Sequence, residues 1–149
     1  MRLVRVQADD FDAGKHIAAL SQGRVDVGGI GSFVGVVRSD AARPITAMTL
    51  EHYPAMTVAA MEEIVSEAER RFGLLGCIVI HRFGRLIPGD RIVLVAAAAG
   101  HRRAALQGTE FLIDWLKTKA PFWKQEEFAD GHRAWVEARA DDDDAARRW

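Results

Sequence analysis

Hydrophobic and polar residues alternate, or apolar residues run together, in several short stretches of the chain, and such patterns predict β-strands. These stretches are residues 3–7, 27–37, 45–52, 75–82, 91–98, 122–128 and 133–138. Turn-forming residues at Pro88, Gly89 and Asp90 predict a hairpin between the fourth and fifth stretches. An Asp-Gly pair at residues 130–131 predicts a second hairpin between the last two.

Two longer segments have apolar residues at helical spacing, and a third, shorter helix is predicted between Asp12 and Gly23. The first long helix begins at Pro54, ends at Gly73 and carries an apolar stripe of Met61, Ile64, Val65, Ala68 and Phe72. The second covers about residues 101–119, with an inner face of Leu106, Phe111, Leu112, Trp115 and Leu116. The order β-α-β-β-α-β-β-α-β-β predicts an α+β fold with about three helices.

The strand predicted over residues 27–37 is rich in glycine, with Gly28, Gly29, Gly31 and Gly35. Glycine weakens strand packing, but it permits bulges and the close approach of another backbone. We therefore expect a partner or a ligand to lie against this strand.

The size and composition of the chain are those of an ordinary globular protein. At 149 residues the chain is expected to form one domain over residues 1–149, since domains cluster around ~100–150 residues. The nearly apolar run at residues 92–99 is far shorter than the ~20 residues of a membrane-spanning helix, so neither a membrane segment nor export is expected. A net charge of −1 argues against the global basicity of many nucleic-acid binders.

The sequence offers no recognisable metal site. Cys77 is the one cysteine and lies in an apolar run, which favours a buried, unreactive thiol over a nucleophile. His52 and His81 lie in predicted strands without a neighbouring metal-binding motif, so we interpret them as structural histidines with satisfied hydrogen bonds. Residues 141–144 are four aspartates, interpreted as a solvated or dipole-matched terminal turn without a functional role.

Residues 101–103, His-Arg-Arg, stand at the start of the second long helix. The helix dipole is already positive there, and each further cation is unfavourable by roughly 0.3–1 kcal/mol. A bound anion would remove this conflict, because backbone donors and arginine bind phosphate or carboxylate. The alternative is that the three side chains simply extend into solvent.

Lys117, Lys119 and Lys124 surround Pro121 and lie next to aromatic residues 122–123. Partial burial brings the pKa of a lysine towards neutrality and suits it to proton transfer. Lys117 and Lys119 could instead complement the negative end of the helix dipole. That explanation does not account for Lys124.

Several ordered segments resemble the large, catalytic subunit of molybdopterin synthases. They are GVVR at residues 35–38, LEHYPAM at 50–56, HRFG at 81–84, PGD at 88–90, GHR at 100–102, KTKAPFWK at 117–124 and WVEAR at 135–139. The resemblance extends over nearly the whole chain in register, and the lysine-rich segment is its most specific part.

The resemblance implies an α/β hammerhead fold with a mixed or antiparallel sheet and a cytoplasmic sulfurtransferase without a cofactor. It implies a homodimer of large subunits within a heterotetramer, each large subunit receiving the Gly-Gly C-terminus of a small ubiquitin-like subunit. A thiocarboxylate on that terminus would donate sulfur twice to cyclic pyranopterin monophosphate. The product would be the dithiolene of molybdopterin, a step of molybdenum cofactor biosynthesis.

Positions that match the family imply roles for individual residues. Lys117 and Lys124 correspond to the catalytic lysines, and Arg139 to a residue that reaches across the dimer. Gln125 stands where the family often has a basic residue. The implied substrate-binding set is Val36, Val37, Arg38, His101, Arg102, Lys117, Lys124, Gln125, Glu126 and Arg139.

Two other functions fit parts of the sequence. A pure interaction module could capture the carboxylate tail of a partner in a basic pocket without doing chemistry. Alternatively, Phe122, Trp123 and the adjacent lysines could stack bases and bind phosphates of single-stranded nucleic acid, although the net charge argues against that reading.

Overall fold

The computed structural model describes residues 1–137 and 139–149. Its elements in chain order are β1 (Arg2–Gln7), α1 (Ala13–Ala19), β2 (Gly29–Val36), β3 (Ile45–His52), α2 (Pro54–Phe72), β4 (Gly76–Arg82), β5 (Gly84–Leu86), β6 (Arg91–Ala99), α3 (Arg102–Thr118), β7 (Phe122–Phe128), β8 (Arg133–Trp135) and α4 (Ala140–Arg147).

The strands form two four-stranded sheets, and the α+β prediction is confirmed. The first sheet has the order β1-β4-β6-β2, with β1 parallel to β4 and the other pairs antiparallel. The second has the order β5-β3-β7-β8 and is antiparallel throughout. The described residues contain four helices rather than about three, because the acidic tail forms α4.

The connection between β4 and β6 differs from the predicted hairpin. The two strands pair antiparallel as expected, but β5 lies between them in sequence and pairs with β3 in the second sheet. Gly84, at a φ of 90°, turns the chain immediately after β4. A strand of three residues is too short to produce a periodic signal, so the sequence pattern could not reveal it.

The first sheet is covered on both faces because successive side chains of β4 point to opposite sides. Cys77 and Val79 pack on one side with the buried stripe of α2 and with Phe111 and Leu112 of α3. Ile78 and Ile80 pack on the other side with Leu20, next to α1. Cys77 is fully buried as predicted, and burial raises the pKa of its thiol to about 12.

Helix α2 follows its prediction closely. It begins with Pro54, and Gly73 ends it in the left-handed conformation at a φ of 63°. The predicted stripe faces the core: Met61, Val65 and Ala68 are fully buried, and Ile64 and Phe72 pack against them.

The inner face of α3 differs from its prediction at one residue. Leu106 is 59% exposed, whereas small residues at Ala105, Gly108 and Thr109 are buried. The reason is the short distance between α3 and β2, which leaves room for small side chains but not for leucine. The first half of the buried face of α3 therefore consists of small residues, which a pattern of large apolar residues does not reveal.

The backbone of helix α3 lies directly against the glycine-rich strand β2. A methyl group on Gly31 would lie 2.7 Å from the carbonyl oxygen of Ala105 and 2.8 Å from Oγ1 of Thr109. A methyl group on Gly28 would lie 2.0 Å from the carbonyl oxygen of Gly100, at the turn into the helix. The bulge permitted by glycine also occurs, at residues 35–36. No described helix is both long and apolar enough to cross a membrane.

We predict that Gly31→Ala lowers the free energy of unfolding by about 1–3 kcal/mol, because the new methyl group would push α3 away from β2. Urea denaturation monitored by circular dichroism measures the change. Gly14→Ala is the control: its methyl group meets its nearest neighbour at 3.5 Å, and alanine in helix α1 should stabilise the protein by roughly 0.5–1 kcal/mol. Equal effects of both substitutions would contradict the close approach.

Candidate active site

A cavity of about 200 Å³ lies between the first sheet, the C-terminal half of α3 and strand β7. Three polar side chains are among its lining residues: His81, Lys117 and Lys124. The rest of the lining is apolar or glycine and includes Val36, Val93 and Leu116. An apolar cavity with a few convergent polar groups is typical of a ligand-binding site.

The two lysines reach the cavity because the chain reverses direction between α3 and β7. Lys117 lies in the last turn of α3, and the N–H of Ala120 donates to the carbonyl oxygen of Trp115 as the helix ends. Pro121 follows, and β7 begins at Phe122. Lys124 pairs with Leu50 within the sheet and lines the same cavity as Lys117. The structure thus brings Lys117 and Lys124 of this segment to one cavity, whereas Lys119 does not line it.

The environment of Lys124 disfavours its charged form. Burial lowers the pKa of its amine, and the positive charge of Lys117 lowers it further. The carboxylate of Asp142 in α4 acts in the opposite direction. A lowered pKa makes the neutral amine of Lys124 more accessible, which suits this residue to proton exchange.

His81 forms part of the cavity wall, although we interpreted it as purely structural. The residue is 3% exposed, its ring stacks on Phe122 with a centroid distance of 3.8 Å, and its Nδ1 lies 2.8 Å from the carbonyl oxygen of Arg82. Burial lowers the pKa of His81 to about 3, with a further contribution from the charge of Lys124. The ring is therefore neutral near pH 7.

His52 also contacts Phe122, with ring centroids 5.8 Å apart. Its Nδ1 is buried and has no hydrogen-bond partner among the described residues. The expectation of a satisfied structural histidine is therefore wrong for His52. Burial lowers the pKa of its ring, which removes the charge but does not supply the missing partner.

The three predicted site residues at the end of the glycine-rich strand, Val36, Val37 and Arg38, lie in three different environments. Val36 lines the cavity. Val37 does not: it is 2% exposed and packs with Ile45, Leu50, Leu86 and Phe128 in the core of the second sheet. Arg38 follows in a loop and is exposed.

Gln125 and Glu126 occupy opposite faces of β7, because side chains alternate along a strand. Glu126 shares the face of Phe122 and Lys124, two residues beyond the cavity lysine. Gln125 shares the other face with Trp123, which is 44% exposed. Gln125 therefore does not point to the same side as Lys124.

His101 and Arg102 lie far from the cavity. They are exposed at the start of α3, whose first turn contains no acidic residue, whereas Lys117 is in its last turn. At a rise of 1.5 Å per residue, Arg102 and Lys117 are separated by roughly 22 Å along the helix axis. Within one chain, His101 and Arg102 therefore lie apart from the two lysines of the cavity.

Arg139 is exposed and precedes α4, and its carbonyl oxygen accepts hydrogen bonds from the N–H groups of Asp142 and Asp143. Helix α4 and the residues after it pack on α3, where the indole N–H of Trp149 donates to Asp114 at 2.6 Å. This packing places Asp142 close enough to Lys124 to affect its pKa. The sequence pattern does not relate Asp142 to Lys124, because only the folded tail brings the two residues near each other.

The fold and the paired lysines define an α+β protein with a basic cavity suited to an anionic ligand. Residues 6–119 match the family described as MoaE protein. The chain is 51% identical to the molybdopterin synthase catalytic subunit of Rhizobium meliloti (strain 1021) over 147 residues, which cover 98% of this chain and 94% of that protein.

Solved structures agree with this match. The molybdopterin biosynthesis MoaE protein from Burkholderia ambifaria MC40-6 has a TM-score of 0.83 and 48% identity, covering 100% of this chain and 98% of that one. A chain in the complex of subunits 1 and 2 of molybdopterin-converting factor from Helicobacter pylori 26695 shares the fold, with a TM-score of 0.73 at 22% identity and coverages of 91% and 90%. The chain belongs to the MoaE family, and the family prediction is confirmed.

We predict that Lys117→Ala raises the pKa of Lys124 towards the ordinary lysine value of 10.5, because a neighbouring positive charge is removed. In the unaltered protein the neutral amine of Lys124 should become populated at a lower pH than that of an exposed lysine. A pH titration of ¹³C-labelled lysine by NMR measures both values. Lys119→Ala is the control, because Lys119 is exposed and does not line the cavity. An unchanged Lys124 titration in Lys117→Ala would contradict the coupling.

Proposed function

We propose that this chain is the catalytic subunit of a molybdopterin synthase. It transfers sulfur from the C-terminal thiocarboxylate of a small ubiquitin-like subunit to cyclic pyranopterin monophosphate, in two steps that form the dithiolene of molybdopterin. The observation that carries the proposal is the convergence of Lys117 and Lys124 on one cavity, with the pKa of Lys124 lowered. The reaction belongs in the cytoplasm, where the other steps of a cofactor synthesis of this kind would supply the substrate.

The chemistry fits the two lysines. A thiocarboxylate, a phosphate and the oxyanion that develops during transfer are all negatively charged, and fixed cations stabilise them in a cavity that excludes much of the water. Proton transfer needs a group whose neutral form is accessible near the working pH. Lys117 supplies the fixed charge in this scheme, and Lys124 supplies the proton transfer.

The cavity of one chain is small for the whole substrate. Its volume of about 200 Å³ is below the ~300–1,000 Å³ of most ligand pockets. His101 and Arg102 form the second cationic group, and they lie at the far end of α3. We propose that two chains form a homodimer in which His101 and Arg102 of one chain complete the cavity of the other.

Two further arginines of the predicted set have proposed roles that follow from their positions. Arg38 is exposed in the loop that follows β2, two residues after the cavity-lining Val36, and is proposed to bind the substrate phosphate. Arg139 is exposed before α4 and is proposed to act across the dimer. Each large subunit would receive the tail of one small subunit, which gives a heterotetramer.

We predict that Lys124→Arg lowers the rate of sulfur transfer by about 100-fold or more, the scale of a lost proton-transfer group. Arginine keeps the charge but does not release its proton near neutral pH. Lys117→Arg should keep more activity, because its proposed role requires charge alone. The measurement is dithiolene formation from a thiocarboxylated small subunit and the cyclic pterin substrate.

Lys119→Ala serves again as the matched control and should retain full activity with an unchanged thermal midpoint. Full activity of Lys124→Arg would exclude proton transfer by Lys124. Binding of both ligands by the unaltered chain without any dithiolene product would favour the interaction module. Salt-dependent binding of oligonucleotides in place of the pterin would favour the nucleic-acid surface.

The shared site has its own test in mixed dimers. We predict that a dimer of one Arg102→Ala chain and one Lys117→Ala chain, purified through two different tags, recovers about half of wild-type activity. One of its two sites then has both residues intact, and the other has neither. Each variant alone should be strongly impaired.

A mixed dimer of Lys117→Ala and Lys124→Ala chains is the control. Both lysines belong to the cavity of the same chain, so neither site of this dimer is intact and no activity should return. Recovery in the control, or failure to recover in the Arg102 and Lys117 mixture, would overturn the proposal that the site is shared.

A further inference from the structure

We propose that Nε2 of His81 is the hydrogen-bond acceptor of the lysine cavity and binds an N–H group of the substrate's heterocycle. This inference rests on the proposed function, because the pterin is the ligand in question. It assigns the cavity two tasks: the lysines hold the anionic part of the ligand, and His81 recognises the ring.

The position of His81 in its strand is the first argument. Cys77, Val79 and His81 point to the same face of β4, because side chains alternate along a strand. Cys77 and Val79 are fully buried in the apolar core between the sheet and helices α2 and α3. His81 continues this row as a polar residue and lies where the core opens into the cavity.

The hydrogen bond at Nδ1 fixes which nitrogen of the ring carries the proton. The carbonyl oxygen of Arg82, 2.8 Å away, can only accept a hydrogen bond, so Nδ1 carries the hydrogen. The neutral ring then has a free lone pair at Nε2. Stacking on Phe122 holds the plane of the ring in place.

The polar side chains of the cavity offer a ligand both kinds of hydrogen-bonding group, donors and an acceptor. A charged lysine offers only hydrogen-bond donors, whereas a neutral histidine in this tautomer offers an acceptor. While both lysines are charged, His81 is the one described residue lining the cavity whose side chain supplies an acceptor. A reduced pterin carries N–H donors on its ring as well as the phosphate, so it requires both kinds of group.

Nε2 of His81 is not used within the described part of the chain. No hydrogen bond joins it to Lys117 or Lys124, although both line the same cavity. An acceptor that lines a cavity and has no partner among the described residues can take a hydrogen bond from a donor on a ligand. The absence of a hydrogen bond between Nε2 and either lysine favours a ligand-binding role over one in which His81 only orients a lysine.

Two substitutions separate the two ring nitrogens. Asparagine at position 81 places an amide N–H near the Nδ1 position and keeps the bond to Arg82, but it loses the acceptor at Nε2. Glutamine places an amide oxygen near the Nε2 position and keeps an acceptor there. Both replace the ring stacked on Phe122, so any loss of stability should be similar in the two variants.

We predict that His81→Asn weakens binding of cyclic pyranopterin monophosphate about 10-fold or more, the effect of a lost hydrogen bond to a buried group. His81→Gln should retain most of the affinity. Inorganic phosphate, which tests the lysines alone, should bind both variants as well as it binds the wild type. Lys117→Ala should weaken the binding of phosphate and pterin phosphate alike. Calorimetric titration measures all four proteins.

Equal affinities of the wild type and His81→Asn for the pterin phosphate would overturn the inference, as would an equal loss of affinity for phosphate and pterin phosphate. If the wild type bound phosphate but not the pterin phosphate, the proposed function would fail, and this inference with it. The two failures are therefore distinguishable.

A spectroscopic test avoids substitutions. In the wild-type protein labelled with ¹⁵N-histidine, the signals of His81 should show a protonated Nδ1 and an unprotonated Nε2 near pH 7. The Nε2 signal should shift on addition of the pterin phosphate and stay unchanged with inorganic phosphate. A signal that responds to neither ligand, or equally to both, would contradict the proposal.

Discussion

The close packing of α3 on β2 is the constraint on which the rest of the structure depends. Gly31 lets the helix backbone approach the strand so closely that even a methyl group would collide with the carbonyl oxygen of Ala105. The axis of α3 is therefore fixed relative to the first sheet. Its last turn must bring Lys117 over the end of that sheet, and its first turn must leave residues 101–103 at the opposite side. The same packing explains why small residues, and not Leu106, form the buried face.

Burial and a neighbouring positive charge act together on Lys124 in the cavity. Phe122 stacks on the neutral ring of His81, and Lys124, on the same face of β7, is partly buried beside them. This apolar surrounding lowers the pKa of the Lys124 amine, and the charge of Lys117 adds to the effect. Lys117 is itself more exposed and lies at the negative end of the helix dipole, where a cation is favoured. The two lysines thus have different surroundings, because one lies at the end of a helix and the other lies in a partly buried strand.

Much of the fold could be predicted from local patterns, and the exceptions have physical causes. Pro54, Gly73 and the stripe between them specify α2 through backbone geometry and periodicity, so its bounds were predicted correctly. Strand β5 has three residues and no periodicity. The lysine segment indicated its chemistry because its residues are close in sequence. His81 could not be placed at the cavity in this way, because its neighbours there come from α3 and β7. The sequence also could not show that the side chain of Val37 enters the second core, because its neighbours there come from β3, β5 and β7.

The cations at residues 101–103 and the lysines of the cavity lie at opposite ends of α3. Helix electrostatics, as well as the length of α3, explains why the two groups are separate. A phosphate is favoured at the N-terminus of a helix, where backbone N–H groups are free, and disfavoured at the C-terminus. The cavity contains the C-terminal end of α3, so this helix cannot use its own N-terminus to hold an anion there. Lysine side chains can compensate for part of that deficit. The N-terminal end of α3 from a second chain, with His101 and Arg102, would supply the rest without lengthening the fold. An enzyme built in this way would be active only as a dimer, because each chain would carry parts of two sites and the whole of neither.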